Sequence, residues 1–340
     1  MSKQYYTKIL KADAQSIKLA GELIKNGELV GIPTETVYGL AGNALNSNSS
    51  DKIFLAKGRP SDNPLIVHIT ELNDIYGLVS DFPVLAQKCA EKFWPGPLTM
   101  ILPKKDVIPS QTSGGLDTVG IRIPSDITAR AIIKAAGVPV AAPSANLSGS
   151  PSPTEAVHVY DDLKGKIPLI IDGEHSVVGV ESTVISFLEN GIHVLRPGFI
   201  SPEDLTEVTP NVTVDDGVIH MLAENAVVKS PGMKYRHYSP NADVIILDGD
   251  LTGFNRFICN NADENDYCMI FDDDILKSDN QYVTYGKDST EQAIQLFSVL
   301  RKLDELKVKK VYARCPNRNG VGLAVYNRLL RAAGFQVIKV

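Results

Sequence analysis

The sequence predicts an α/β protein in two units, a large domain followed by a smaller one. Short β-rich runs alternate with helical periods from Ile9 to about Val208. A second alternating series begins at ADVIILDG. The chain has 340 residues, the length of two ordinary domains of about 100–200 residues each. The expected boundaries are 1–208 for the first domain, 209–242 for a connector and 243–340 for the second.

The elements follow in order. DAQSIKLAGELIKNG reads as a helix opened by Asp13, whose carboxylate can accept exposed backbone N–H groups, and closed by Gly27. LVGIP follows as a strand. Further strands are NPLIVHI, PLTMIL, TVGIRI, VPVAA, PLIID, STVISF and IHVLR, because β-branched residues dominate them. SSDKIFLAK, PVLAQKCAEKF, ITARAIIKAAG and PTEAVHVYDDL carry helical periods. After Val208 the alternation lapses. It resumes at ADVIILDG and continues through YCMIF, YVTYG, the helix STEQAIQLFSVLRKLDEL, KKVYARC, the helix GLAVYNRLLRAAG and FQVIKV. That spacing predicts a small, largely parallel sheet. NNADEND and DDDILKSDN read as solvated loops.

Composition narrows the function. Hydrophobic residues make up 44% and charged residues 22%, and no apolar run is long enough for a membrane span, so no membrane role is expected. The start, MSKQYYTKILKADAQS, lacks the apolar core of a secretory signal, which predicts a cytoplasmic protein. The four cysteines form no Cys-x-x-Cys pair, against a zinc module or a disulfide framework. A net charge of -6 argues against a surface given over to nucleic acid, though a local basic cleft stays compatible with it.

Chemistry-bearing residues concentrate in a few stretches. In KGRPSDNPLIVHI, an extended Lys57-Gly58-Arg59 would put both cations on one face, with Asn63 and His68 following. PVAAPSANLSGSPSPT sets Ser144 and Asn146 two apart at a strand end, where open α/β sheets place ligands, and adds Ser148 and Ser152. PTETVYGLAG, TVGIRIP, GVESTVI and LRPG contribute Thr34, Thr36, Tyr38, Thr118, Arg122, Ser182, Thr183 and Arg196. Arg122 and Arg196 interrupt β-rich runs, where an unpaired charge costs several kcal/mol, so they want anionic partners. Those partners are either a ligand or an internal carboxylate, Glu35, Asp126 or Glu181. No phosphate loop, complete dinucleotide fingerprint, H-E-x-x-H helix or G-x-S-x-G elbow is present. What remains is a set of cations and hydroxyls suited to phosphates and carboxylates. SPGMKYRHYSP, Ser230 to Pro240, is richer in cations and aromatics than a passive linker needs, and reads either as a lid over that set or as a connector whose aromatics staple the two units together.

PTETVYGL, KGRPSDNPLIVHI, FWPGPLTMIL, TVGIRIP, PVAAPSANLSGSPSPT, GVESTVI and LRPG, in this order, resemble the YrdC-like domain of the L-threonylcarbamoyladenylate synthases. The PGMKYRHY linker and the second α/β series resemble the longer, two-domain branch of that family. The resemblance implies a twisted mixed sheet around a deep positive cavity and a small Rossmann-like C-terminal domain. It also implies condensation of L-threonine, bicarbonate and ATP, with Mg2+, into threonylcarbamoyl-AMP and pyrophosphate. The product would pass to tRNA threonylcarbamoyl-transfer proteins, with at most a weak RNA contact by this chain.

Carried over by motif, ATP would meet Lys57, Arg59, Asn63, Thr118, Ser144, Asn146, Ser152, Arg196, Tyr235 and His237. Threonine would meet Thr36, Tyr38, His68, Arg122, Ala142 and Ser182, with Lys57 and Arg59 the catalytic charges. Two rival functions share the fold: carbamoyl-adenylate formation, which in hydrogenase maturation accompanies Cys-rich zinc modules, and double-stranded RNA binding.

Overall fold

Two β-sheets organise the described residues. The computed structural model describes residues 4–220 and 238–340. The expected lid residues from Lys234 to His237, Tyr235 among them, lie outside the described residues.

The first sheet contains β1 (Lys8–Lys11), β2 (Val30–Ile32), β3 (Gly39–Asn43), β4 (Ile66–His68), β5 (Leu98–Pro103) and β6 (Thr118–Arg122). It continues with β7 (Val140–Ala141), β8 (Leu169–Asp172), β9 (Thr183–Leu188), β10 (Gly191–Arg196) and β11 (Val212–Val214). Their order across the sheet is β1-β8-β2-β3-β7-β4-β6-β5-β9-β10-β11. Parallel pairs such as β4 with β6 are interspersed with antiparallel pairs such as β5 with β6, the mixed sheet that was expected. β11 pairs with β10, so the sheet reaches into the stretch expected to be connector.

Local chemistry sets the helix ends. Helix Ala14–Lys25 starts at Asp13, whose side chain accepts the Gln15 and Ser16 N–H groups, as predicted. It packs on helix Ile127–Ala136, and Ala20, Ile24, Ile132 and Ile133 bury themselves against Val30, Ile32 and Ile171 of the sheet. Each large aliphatic buried this way stabilises the fold by roughly 1.5–3 kcal/mol. The other face of the sheet closes over Leu40, Ile53, Leu65 and Val67.

The second sheet holds β12 (Asp243–Asp248), β13 (Tyr267–Ile270), β14 (Tyr282–Thr284), β15 (Lys310–Arg314) and β16 (Val337–Lys339). Every pairing in it is parallel, in the order β14-β13-β15-β12-β16. Val244 and Ile246 of β12 share a core with Leu296 and Leu300 of helix Ser289–Glu305 and Leu329 of helix Val321–Ala332. Leu247 packs with Phe254 and Ile258 of helix Leu251–Asn261 on the other side. Side chains alternate along the strand, so both faces are covered, as a parallel sheet requires.

The two units pack directly on one another. Val178 and Val180 belong to the same buried cluster as Leu296 and Phe297. Between them Gly179 lies at φ +78, where a Cβ would stand 2.3 Å from the Ala293 carbonyl oxygen, so only glycine fits. Among the described residues, no helix is long and apolar enough to cross a membrane.

Candidate functional site

A cavity opens beside the central strands β3, β7, β4 and β6. Helix Ser47–Lys57 delivers the first cations to it. The helix is capped by Asn46 and ends at Gly58, which takes the left-handed conformation at φ 62. Lys57-Gly58-Arg59 is therefore a helix terminus and its turn. The expected extended strand is corrected, because the helical period of SSDKIFLAK runs through Lys57 and Gly58 is its stop. Both cations still reach the cavity, by that turn.

The rest of the wall comes from distant stretches. The turn after β2 gives Thr34 and Thr36, β4 gives His68, and the end of β6 gives Arg122. Ala142, Ser144 and Asn146 follow β7, Glu181 and Ser182 precede β9, and Arg196 closes β10. Tyr238 completes this wall.

Lys57 is buried, and its ammonium donates to the Ser144 carbonyl, the Asn146 carbonyl at 2.6 Å and Asn146 Oδ1 at 3.2 Å. An ammonium has three N–H groups, so all of them are committed to this loop. The Lys57 carbonyl also accepts the Ser148 N–H. Lys57 thus anchors the loop and places a charge behind it, rather than reaching freely into the cavity. Burial, with Arg59 beside it, holds its pKa well below the usual lysine value. An entering anion offsets that cost.

Arg59 is half-buried and donates to the carbonyls of Asn63 and Pro64. Arg196 bonds the Ser182 carbonyl through Nε and Nη2, and the Ser182 hydroxyl at 3.1 Å. Burial pushes both guanidinium groups down to about 10, so both remain cationic at neutral pH.

Arg122 is almost wholly buried. Its Nε donates to the Gly96 carbonyl, its Nη1 to the Thr36 hydroxyl at 2.9 Å, and its Nη2 stands 2.6 Å from Glu35 Oε1. Burial alone would raise the Glu35 carboxyl, but Arg122 and the Ser125 N–H outweigh it and hold the pKa below the usual range. The internal partner weighed for Arg122 is thus Glu35. At most three of its five N–H donors are committed among the described residues, which leaves at least two for a ligand carboxylate. His68 sits opposite Arg122 in the β4–β6 register. Burial first, then the Arg122 charge, pushes its pKa down to about 3. It is a neutral imidazole at physiological pH, with Nδ1 unpartnered among the described residues.

Glu181 is the acidic member of the wall. Ser152 donates to its Oε1 at 2.5 Å and Arg328 to its Oε2 at 2.8 Å. Burial would raise its carboxyl, yet the charges of Arg328 and Arg196 keep it below the ordinary value. The net cavity surface is positive, with Lys57, Arg59, Arg122 and Arg196 facing one carboxylate already paired from behind.

Other expected site residues stand off this wall. The Tyr38 ring is fully buried and its hydroxyl donates to the Glu174 carbonyl while accepting the Gly173 N–H, so it braces a loop in the core. Asn63 is buried beside the cavity and supports Arg59 through its carbonyl. Ser152 acts on Glu181 from beneath. Thr118 begins β6, at the opposite end from Arg122, about 13 Å away for a strand of that length. Tyr235 and His237 lie outside the described residues. Conversely, Glu181 and Tyr238 join the wall without having been expected as ligand contacts. Tyr238 stacks on Phe297 at 5.2 Å with Arg328 over its ring, and the Ser239 N–H donates to the Gly149 carbonyl.

Fold and site together define an α/β protein whose pocket gathers cations and hydroxyls from a mixed sheet. A family model described as telomere recombination, covering the Sua5, YciO and YrdC proteins, matches residues 22–198. One for the C-terminal domain of threonylcarbamoyl-AMP synthase matches residues 200–334. The chain belongs to the YrdC-like family, in its two-domain threonylcarbamoyl-AMP synthase branch. It is 43% identical to the threonylcarbamoyl-AMP synthase of Pyrococcus abyssi over 95% of this chain and 96% of that protein. Identity to the Bacillus subtilis threonylcarbamoyl-AMP synthase is 40%, over 97% and 96% respectively. The structure of P. abyssi Sua5 complexed with L-threonine superposes with a TM-score of 0.91 at 40% identity, covering 99% of both chains.

Proposed function

We propose that the chain is a nucleotidyltransferase that condenses L-threonine, bicarbonate and ATP into threonylcarbamoyl-AMP and pyrophosphate. The observation that carries this reading is the meeting of Lys57, Arg59, Arg122 and Arg196 in one cavity. The substrates bring a triphosphate, a carboxylate and a carbamate, and apposing those anions is the main electrostatic cost of the reaction. The two uncommitted donors of Arg122 suit the threonine carboxylate as a planar fork. Lys57, Arg59 and Arg196 suit the phosphates. The product feeds tRNA threonylcarbamoylation completed by other proteins.

The chemistry balances without a covalent enzyme intermediate. The threonine amine takes up bicarbonate and loses water to give a carbamate. A carbamate oxygen then attacks the α-phosphorus, and the bond to pyrophosphate breaks. His68, neutral throughout the physiological range, orients by hydrogen bonding and carries no charge to the reaction. The side chains position reactants and stabilise charge, as in other phosphoryl transfers. Among the described residues, no group of three or more His, Cys, Asp or Glu side chains could hold a metal, and Glu35 and Glu181 are ion-paired with Arg122 and Arg328. Magnesium would accompany ATP as MgATP and neutralise part of the phosphate charge.

Purified protein should release pyrophosphate from ATP only when threonine and bicarbonate are both supplied. Serine, one methyl smaller, should be used with kcat/KM lower by about 10–200-fold, the range one methyl can provide. Release without threonine would overturn the reaction, and equal use of serine would overturn the threonine subsite.

A further inference from the structure

Two arginines of the C-terminal unit reach the loops that carry the cavity wall, although neither lines the cavity. Arg301, on helix Ser289–Glu305, forks onto Asp162 at 3.2 and 2.9 Å and donates to the Pro151 carbonyl at 2.6 Å. Asp162 in turn accepts the Leu147 N–H at 3.1 Å. Leu147 directly follows Asn146, which Lys57 holds from the other side. Arg328, on helix Val321–Ala332, is completely buried. Besides Glu181 it holds the Pro197 carbonyl at 2.8 Å. Glu181 precedes Ser182, and Pro197 follows Arg196.

Arg328 therefore grips one wall residue, Glu181, and the neighbour of another, Arg196, whereas Arg301 grips Pro151, two residues from Gly149, and reaches Leu147 through Asp162; all of these are directional bonds to carboxylates and carbonyls. Domains that merely adhere need only apolar contact, which Val178 and Val180 already provide. We propose that the C-terminal unit is a clamp on the catalytic cavity, with Arg301 and Arg328 as positioning residues that fix its two walls. These walls are the Ser144–Pro151 loop and the segments at Glu181–Ser182 and Arg196–Pro197. The assignment of the first wall to ATP rests on the function proposed above.

The test uses the full chain. Arg301→Lys keeps the charge but loses the fork, and should raise KM for ATP about tenfold while leaving KM for threonine within about twofold. Hydrogen exchange at the Leu147 amide should rise in Arg301→Lys while that of β12 stays as in the wild type. Parallel rises in both KM values or an unchanged KM for ATP would overturn the clamp. Should the wild type form no product from the three substrates, the reaction assignment fails instead. Leu147 exchange then decides the clamp by itself: faster in Arg301→Lys supports it, unchanged refutes it.

Discussion

Replacing Lys57 with alanine lowers product formation about 100-fold or more, as removal of one preorganised charge donor from such a site typically does. Two losses combine in this variant. The cavity loses a buried cation, and the carbonyls of Ser144 and Asn146 lose the donor that holds them. Lys57→Arg should not restore activity, because a planar fork cannot occupy the place of an ammonium surrounded by three acceptors. Pyrophosphate release, measured on protein shown folded by circular dichroism, is the readout. Near-wild-type turnover in the folded alanine variant would remove Lys57 from the mechanism.

The second large effect falls on Arg122. Arg122→Ala strands the buried Glu35 carboxylate and should destabilise the fold by about 3–5 kcal/mol. Arg122→Ala/Glu35→Ala removes both charges and should recover much of that stability. Threonine affinity should nevertheless stay down by about 100-fold, since the fork for its carboxylate is gone. Calorimetric titration with threonine separates the two effects, and wild-type affinity in the folded double variant would refute the subsite. The sign of the pH dependence follows from Glu35, whose folded pKa lies below its unfolded value of about 4.3. The stability it contributes is complete above that unfolded value and is lost as pH falls through the folded one. The double variant should lack this acid sensitivity.

Much of the fold is legible because local signals agree with tertiary structure. Asp13 caps its helix, Gly137 stops another at φ 63, and the β-branched runs form their strands. β3, GLAGN, has weak strand propensity and exists because it is hydrogen-bonded between β2 and β7. Helix Leu251–Asn261 was missed although Leu251, Phe254 and Ile258 keep a helical period behind the Asp250 cap. Its glycine and asparagines obscure that period. In the site, motif order brings together Lys57, Arg59, Arg122, Ser144 and Arg196, whereas the bracing role of Tyr38 depends on a loop more than a hundred residues away. Arg328 reads as an ordinary polar position of an amphipathic helix, and its carboxylate partner is 147 residues distant.

The Glu181–Arg328 pair has a calorimetric consequence. Melting the C-terminal sheet alone would take Arg328 from Glu181 and uncover the apolar surface of Val178 and Val180 that is buried with Leu296 and Phe297, both unfavourable. Partly melted molecules are thereby disfavoured, and the two sheets should denature in one cooperative transition with matching calorimetric and van't Hoff enthalpies. Lost stability in the distal sheet then registers as a smaller population of folded molecules and not as a population with one sheet melted.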